Sequence, residues 1–239
     1  MNHSPSTPKN DKPKKNKETT SKKNADAKTP KLKKVLTVAN IQNQSIDRIP
    51  FEGDWYKAFK EPQNKGVWFI WGGSGSGKST FQMMLAKEFA KTEKVFYNLL
   101  EEETDDSDFV ERTELCRMNE VADNFNVQRY NYEELCAYLD KRGSPKVIVI
   151  DSITYFTKDF SKYMDIKEKF PDKIFIISGH ADGKNPRSKI EEDIMYDAKM
   201  KIFVSGYLAT CKGRTIGPNG GLFVIWKEGY KRLQGASLN

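Results

Sequence analysis

Along the chain, short apolar runs alternate with stretches in which apolar residues recur at helical spacing. Residues 67–71 read VWFIW and stop at Gly72-Gly73, the form of a short buried strand. From 79 to 91 the apolar positions fall at Phe81, Met84, Leu85 and Phe89, one stripe of a helix. A second strand is predicted at 95–100 (VFYNLL), a helix at 108–121, a weak strand at 127–130 and a helix at 132–139. Residues 147–150 (VIVI), after Gly143-Ser144-Pro145, form the clearest strand pattern. A helix at about 161–169 leads to another strand at 174–177 (IFII), and 201–204 and 222–226 supply later strands around a Gly-rich turn. Strands apolar on both faces and separated by helices predict an α/β fold, a mostly parallel sheet flanked by helices. Residues 35–65 read as an irregular lead-in whose Phe51, Trp55, Tyr56 and Phe59 pack on the edge of the domain.

Charge divides the chain into two parts. Of 239 residues with a net charge of +7, the first 34 hold eleven Lys and three acids, a balance of +8, so the remaining 205 carry −1. The pI of about 9 therefore belongs to the tail and excludes a uniformly basic, DNA-wrapping domain. With one Leu and no aromatic, Val or Ile residue, the tail at 1–34 is too polar to offset its ordering entropy and is expected to be disordered. Residues 35–239 then make one domain. No apolar run reaches the ~18 residues of a membrane span, and the tail lacks the apolar stretch of a signal peptide. Cys116, Cys136 and Cys211 are too scattered for a disulfide framework or a metal knuckle and are expected to be buried thiols. These features describe a soluble, cytoplasmic protein.

Between the first strand and the first helix lies Gly72-Gly73-Ser74-Gly75-Ser76-Gly77-Lys78-Ser79-Thr80, which fits G-x-x-x-x-G-K-[ST]. Its glycines let successive N–H groups curl inward onto a phosphate where a Cβ would intrude. The helix that follows adds its positive end. Lys78 can reach the β- and γ-phosphates, and the Ser79 hydroxyl can ligate Mg²⁺. The metal needs an acidic partner at the end of a strand beside this loop, and Asp151 directly follows VIVI. Hydrolysis needs a group to orient water. Of Glu101, Glu102 and Glu103 at the end of VFYNLL, Glu101 is assigned that role.

His180 ends the strand beginning IFII, where a polar side chain could sense a γ-phosphate. The basic stretch 181–189 that follows reads as a loop, either solvated or contacting DNA. Lys212 and Arg214, one residue apart at a hairpin tip, face solvent, an acidic partner or a phosphate.

The order of these parts resembles the RecA-like ATPase core shared by RecA/RadA recombinases and replicative hexameric helicases, over roughly residues 66–226. The resemblance implies ATP and Mg²⁺ as cofactors, Glu101 as the water-orienting base and His180 in place of the family's usual Gln sensor. It also implies phosphate contacts to DNA, most simply single-stranded, from Lys184, Arg187 and Lys189. Lys212 and Arg214 become a finger pair acting across the interface of a homo-oligomer. With only the tail before the core, a compact recombinase or annealing protein of the sort phages carry fits better than a full helicase. Two other functions share the same loop: a P-loop kinase of a small molecule, and a nucleotide-switched binding protein. GTP could replace ATP in any of them.

Overall fold

The computed structural model describes residues 32–213, 216 and 220–236. The chain falls into two units, Met1–Gln44 and Ser45–Asn239. In the described part of the first unit, the only helix is α1 (Val38–Gln42), opened by a reciprocal cap between Thr37 and Asn40. Residues 1–31 of the lysine-rich tail lie outside the described residues, as does Arg214.

The second unit begins with α2 (Gly53–Phe59), β1 (Gly66–Gly72), α3 (Lys78–Ala90), β2 (Val95–Leu99) and α4 (Ser107–Leu115). Next come β3 (Phe125–Gln128), α5 (Tyr132–Leu139), β4 (Val147–Asp151), α6 (Ile153–Phe156) and α7 (Phe160–Lys169). It continues with β5 (Ile174–Asp182), β6 (Asn185–Pro186), α8 (Lys189–Asp197), β7 (Met200–Ser205), β8 (Leu208–Gly213), β9 (Gly221–Val224) and α9 (Lys227–Ala236). The main sheet runs β3-β2-β4-β5-β1-β7-β8-β9. Pairings from β3 through β7 are parallel; β8 and β9 add on antiparallel.

Strand alternation explains the uninterrupted apolar runs. In β1, Trp68 and Ile70 enter a core with α2, α3 and α4, while Val67, Phe69 and Trp71 enter a second core with α5, α6, α7 and α8. Each strand face buries against helices, so neither face can be polar. The lead-in differs from the irregular segment expected, because 53–59 is helical. Its Trp55 stacks on Phe223 at 4.2 Å, and Phe59 meets Trp68 at 4.9 Å. Phe51 and Phe59 are buried in this aromatic cluster, which uses their surface for packing.

Three expectations change. The helix expected over 108–121 ends at Leu115, because Arg117 takes a left-handed conformation (φ 52°) before a 3₁₀ turn at Met118–Val121. The strand carrying Asp151 is not beside the glycine loop: β5 lies between β4 and β1. The basic stretch 181–189 is not an open loop. It is a two-residue hairpin, with Asp182 opposite Asn185 and Gly183 at φ 60°, followed by the start of α8.

Candidate active site

The glycine loop leaves β1 at Gly72 and enters α3 at Lys78. A Cβ on Gly72 would stand 2.4 Å from the Val204 carbonyl oxygen, so the backbone there admits no side chain. Gly75 and Gly77 take φ of 68° and 94°, left-handed conformations that suit glycine. Tyr207 closes over the loop: its N–H donates to Ser76 O at 3.0 Å, and its ring lies against the Cα of Gly77. The Ser76 hydroxyl is buried without a hydrogen-bond partner. Lys78 is 8% exposed, and its ammonium forms no ion pair or hydrogen bond among the described residues. A nearly buried cation and a buried orphan hydroxyl in one turn are costly unless an anion completes them. The cradle therefore fits a phosphate group.

Asp151 is 4% exposed at the end of β4. Both its oxygens are held: Tyr97 donates its hydroxyl to Oδ2 at 2.6 Å, and Ser178 donates to Oδ1 at 2.7 Å. Ser178 stands on β5, so the intervening strand supplies the link that puts Asp151 in the same edge as the cradle. Tyr97 is kept protonated far above the ordinary phenol range, first by burial and then by the Asp151 charge. Tyr97 and Ser178 were not among the residues singled out by sequence. Both sit inside apolar strand patterns, and only the cross-strand register reveals them. Among the described residues no three potential metal ligands cluster. Any magnesium ion here would be held by Ser79 and Asp151 together with phosphate oxygens.

Removing the hydroxyl in Tyr97→Phe should leave one Asp151 oxygen short of a donor. The expected loss is about 1–3 kcal/mol of stability by denaturant titration, with a raised magnesium requirement for nucleotide turnover. An unchanged midpoint and an unchanged magnesium titration would contradict that role.

The three glutamates after β2 separate clearly. Glu102 is clamped by both terminal nitrogens of Arg112, at 2.7 and 2.8 Å, and this pairing holds the guanidinium above its ordinary pKa. Glu103 pairs with Arg129 at 2.5 Å. Glu101 instead lies 4.0 Å from His180 Nε2. Backbone bonds from Leu100 and Glu101 to Asp151 O, at 2.8 and 3.1 Å, fix this turn to the end of β4. His180 stands directly across from Gly72 in the β5–β1 register.

A fully buried carboxylate organises the far side of this edge. Glu191, 1% exposed, accepts from His180 N at 2.8 Å and Thr154 Oγ1 at 3.1 Å through one oxygen. Its other oxygen accepts from Ser188 N at 2.7 Å and Ser188 Oγ at 2.9 Å. The S-x-x-E spacing of Ser188 and Glu191 is a legible helix-start signal.

The other predicted residues fall outside this cluster. Lys184 and Arg187 are exposed on or beside the β5–β6 hairpin, where Lys184 O accepts from Trp71 Nε1 at 3.0 Å and Arg187 N donates to His180 O. Lys189 is engaged by Glu192 and by Asp193 at 2.8 Å on its own helix. Lys212 is exposed near the far end of β8, opposite Lys201, three residues beyond Ala209, which is level with the Gly72 end of β1. Beside the cradle, Thr80, Met84, Leu115, Ile225 and Trp226 line part of a groove of about 490 Å³.

No family model matches the sequence, and no curated protein does. Solved structures do. The flagellar accessory protein FlaH from Methanocaldococcus jannaschii matches at 16% identity and a TM-score of 0.53, over 74% of this chain and 93% of that one. The ATPase domain of a helicase matches at 12% identity and a TM-score of 0.54, over 74% and 86%. The KaiC-like protein PH0186 from Pyrococcus horikoshii OT3 matches at 20% identity and a TM-score of 0.54, over 75% and 99%. The chain has the RecA-like P-loop fold that its sequence motifs implied.

Proposed function

We propose that this chain binds and hydrolyses ATP at the glycine cradle and acts on DNA as a homo-oligomer. The observation that carries the reading is the unpartnered Lys78 ammonium and Ser76 hydroxyl in a turn that shares its sheet edge with Asp151, Glu101 and His180. Backbone N–H groups of residues 73–80 and the end of α3 hold the phosphates, and Lys78 offsets the charge of the outer two. Magnesium, when bound, bridges phosphate oxygens and neutralises charge that grows as the bond breaks. Ser79 and Asp151 are its protein partners, Asp151 through the ion's water shell. The nucleoside takes the groove beside Thr80.

Glu101 accepts a proton from the water that attacks the γ-phosphorus as the bond to the bridging oxygen breaks, giving ADP and phosphate. Arg112 and Arg129 hold the other two glutamates, so Glu101 is the carboxylate left to do this. His180, 4.0 Å from it, reads the γ-phosphate. Through its backbone and Glu191 it connects to the hairpin that carries Lys184 and Arg187. Those two cations and Lys189 contact DNA phosphates, while Lys212 and Arg214 reach a neighbouring subunit's nucleotide. The position of Lys212 near the far end of β8 suits action in trans.

The test is steady-state ATP hydrolysis with and without single-stranded DNA, for wild type and Arg214→Ala. DNA should raise the wild-type rate, and the variant should lose most turnover. A rate that ignores DNA, together with full activity in the variant, would contradict the proposal.

A further inference from the structure

Five of the six parallel strands are immediately preceded by lysine: Lys94 before β2, Lys146 before β4, Lys173 before β5, Lys65 before β1 and Lys199 before β7. The backbone ladder sets them side by side. Val147 N donates to Lys94 O at 3.2 Å, Ile174 N to Lys146 O at 3.0 Å and Gly66 N to Lys173 O at 2.9 Å. Lys199 N donates to Val67 O at 2.9 Å, and the stem of Lys199 lies against Gly66. The row crosses five adjacent strands, about 19 Å, at the edge opposite the nucleotide cradle.

This row is strongly cationic and partly fixed. Lys146 donates to Asp172 O at 2.5 Å, and Lys173 to Ser144 Oγ at 2.8 Å and Pro145 O at 2.6 Å. Those uncharged acceptors orient the ammoniums without cancelling their charge. Among the described residues, Lys65, Lys94, Lys146 and Lys173 form no salt bridge. Burial and the nearby charge of Lys146 lower the Lys173 pKa, which reports like charges crowded together. Like charges opposite one another on neighbouring strands destabilise a sheet. Glu93, Asp123 and Asp172 also lie at the strand starts, but too few to balance the row.

We propose that this edge binds a nucleic-acid backbone, as a surface separate from the β5–β6 hairpin. Its form decides the partner. Over about 19 Å one strand of a duplex presents about five phosphates, matching five lysines in line. None of the large exposed apolar side chains starts one of these strands, so the edge offers nothing to insert into a lipid surface. A second copy fits poorly, because the acids after β2 are already engaged by Arg112 and Arg129. The interaction is electrostatic and blind to sequence.

The experiment is acetylation footprinting of the full chain, read lysine by lysine, with a mixed-sequence 40-base single strand (an oligomer of about that length covers the row) and its duplex. Modification of Lys65 and Lys94 should fall several-fold when either nucleic acid binds. In parallel, the double variant Lys65→Glu/Lys94→Glu should bind single strands at least tenfold more weakly, with a salt slope shallower by about 1.4, while ATP affinity is unchanged. Protection confined to the tail lysines or Lys184 would overturn the proposal. So would protection by phosphatidylserine vesicles and not by nucleic acid, or protection that depends on protein concentration alone. Loss of DNA-stimulated hydrolysis with the lysine edge still protected would count against the functional reading and leave this surface standing.

Discussion

Lys78→Ala should weaken ATP affinity by two to three orders of magnitude, about 3–4 kcal/mol, without destabilising the free protein. The two halves of that expectation have one cause. In the free chain the ammonium is nearly buried and has no partner, so it contributes little to folding and costs desolvation. Ala removes the cost. With ATP present the same ammonium meets two phosphates, a charge-assisted contact of the stronger class. Thermal unfolding reads both halves: saturating ATP and magnesium should raise the wild-type midpoint by several degrees through linkage and leave the variant's midpoint where it was. A variant that loses stability without ATP, yet still gains it with ATP, would assign Lys78 to the scaffold.

Glu101→Gln should retain ATP binding and lose turnover by about 10²–10⁴-fold, the usual contribution of a general base. Gln keeps the shape and the hydrogen-bonding reach of the side chain but cannot take a proton from water. The neighbouring glutamates provide an internal control. Glu102→Gln should loosen its bidentate contact with Arg112 and act mainly on stability, and Glu103→Gln should change little, because its pairing with Arg129 is exposed. Rapid-quench measurement of phosphate release separates these outcomes. Equal losses for Glu101→Gln and Glu102→Gln would remove the basis for choosing Glu101.

The fold was legible where chemistry is local. Gly72 to Thr80 must be a turn between a strand and a helix because the glycines forbid anything regular there. VIVI could only be a buried strand. Thr80, Glu101, Asp151 and His180 all stood at strand or helix ends, where a parallel sheet gathers ligands. What stayed hidden depends on the order of strands. The placement of β5 between β1 and β4 is not written in either strand, and so neither is the pairing of Tyr97 and Ser178 on Asp151. Both look like single polar atoms in apolar runs. Residues 181–189 were read for their cations, and this masked two ordinary signals: a D-G hairpin turn and the Ser188–Glu191 helix start. The lysines at the strand starts escaped for the same reason. They are 26 or more residues apart and become neighbours only in the sheet.

Residues 73–80 carry the central claim, and their backbone amides can report on it directly. In ¹⁵N–¹H correlation spectra of the full chain, adding ATP and magnesium should shift the resonances of Gly73, Gly75, Gly77 and Lys78 most, with inorganic pyrophosphate reproducing much of the pattern. Amides of the glycine turn that stay in place while ATP moves resonances elsewhere would put the nucleotide outside this cradle and contradict the account.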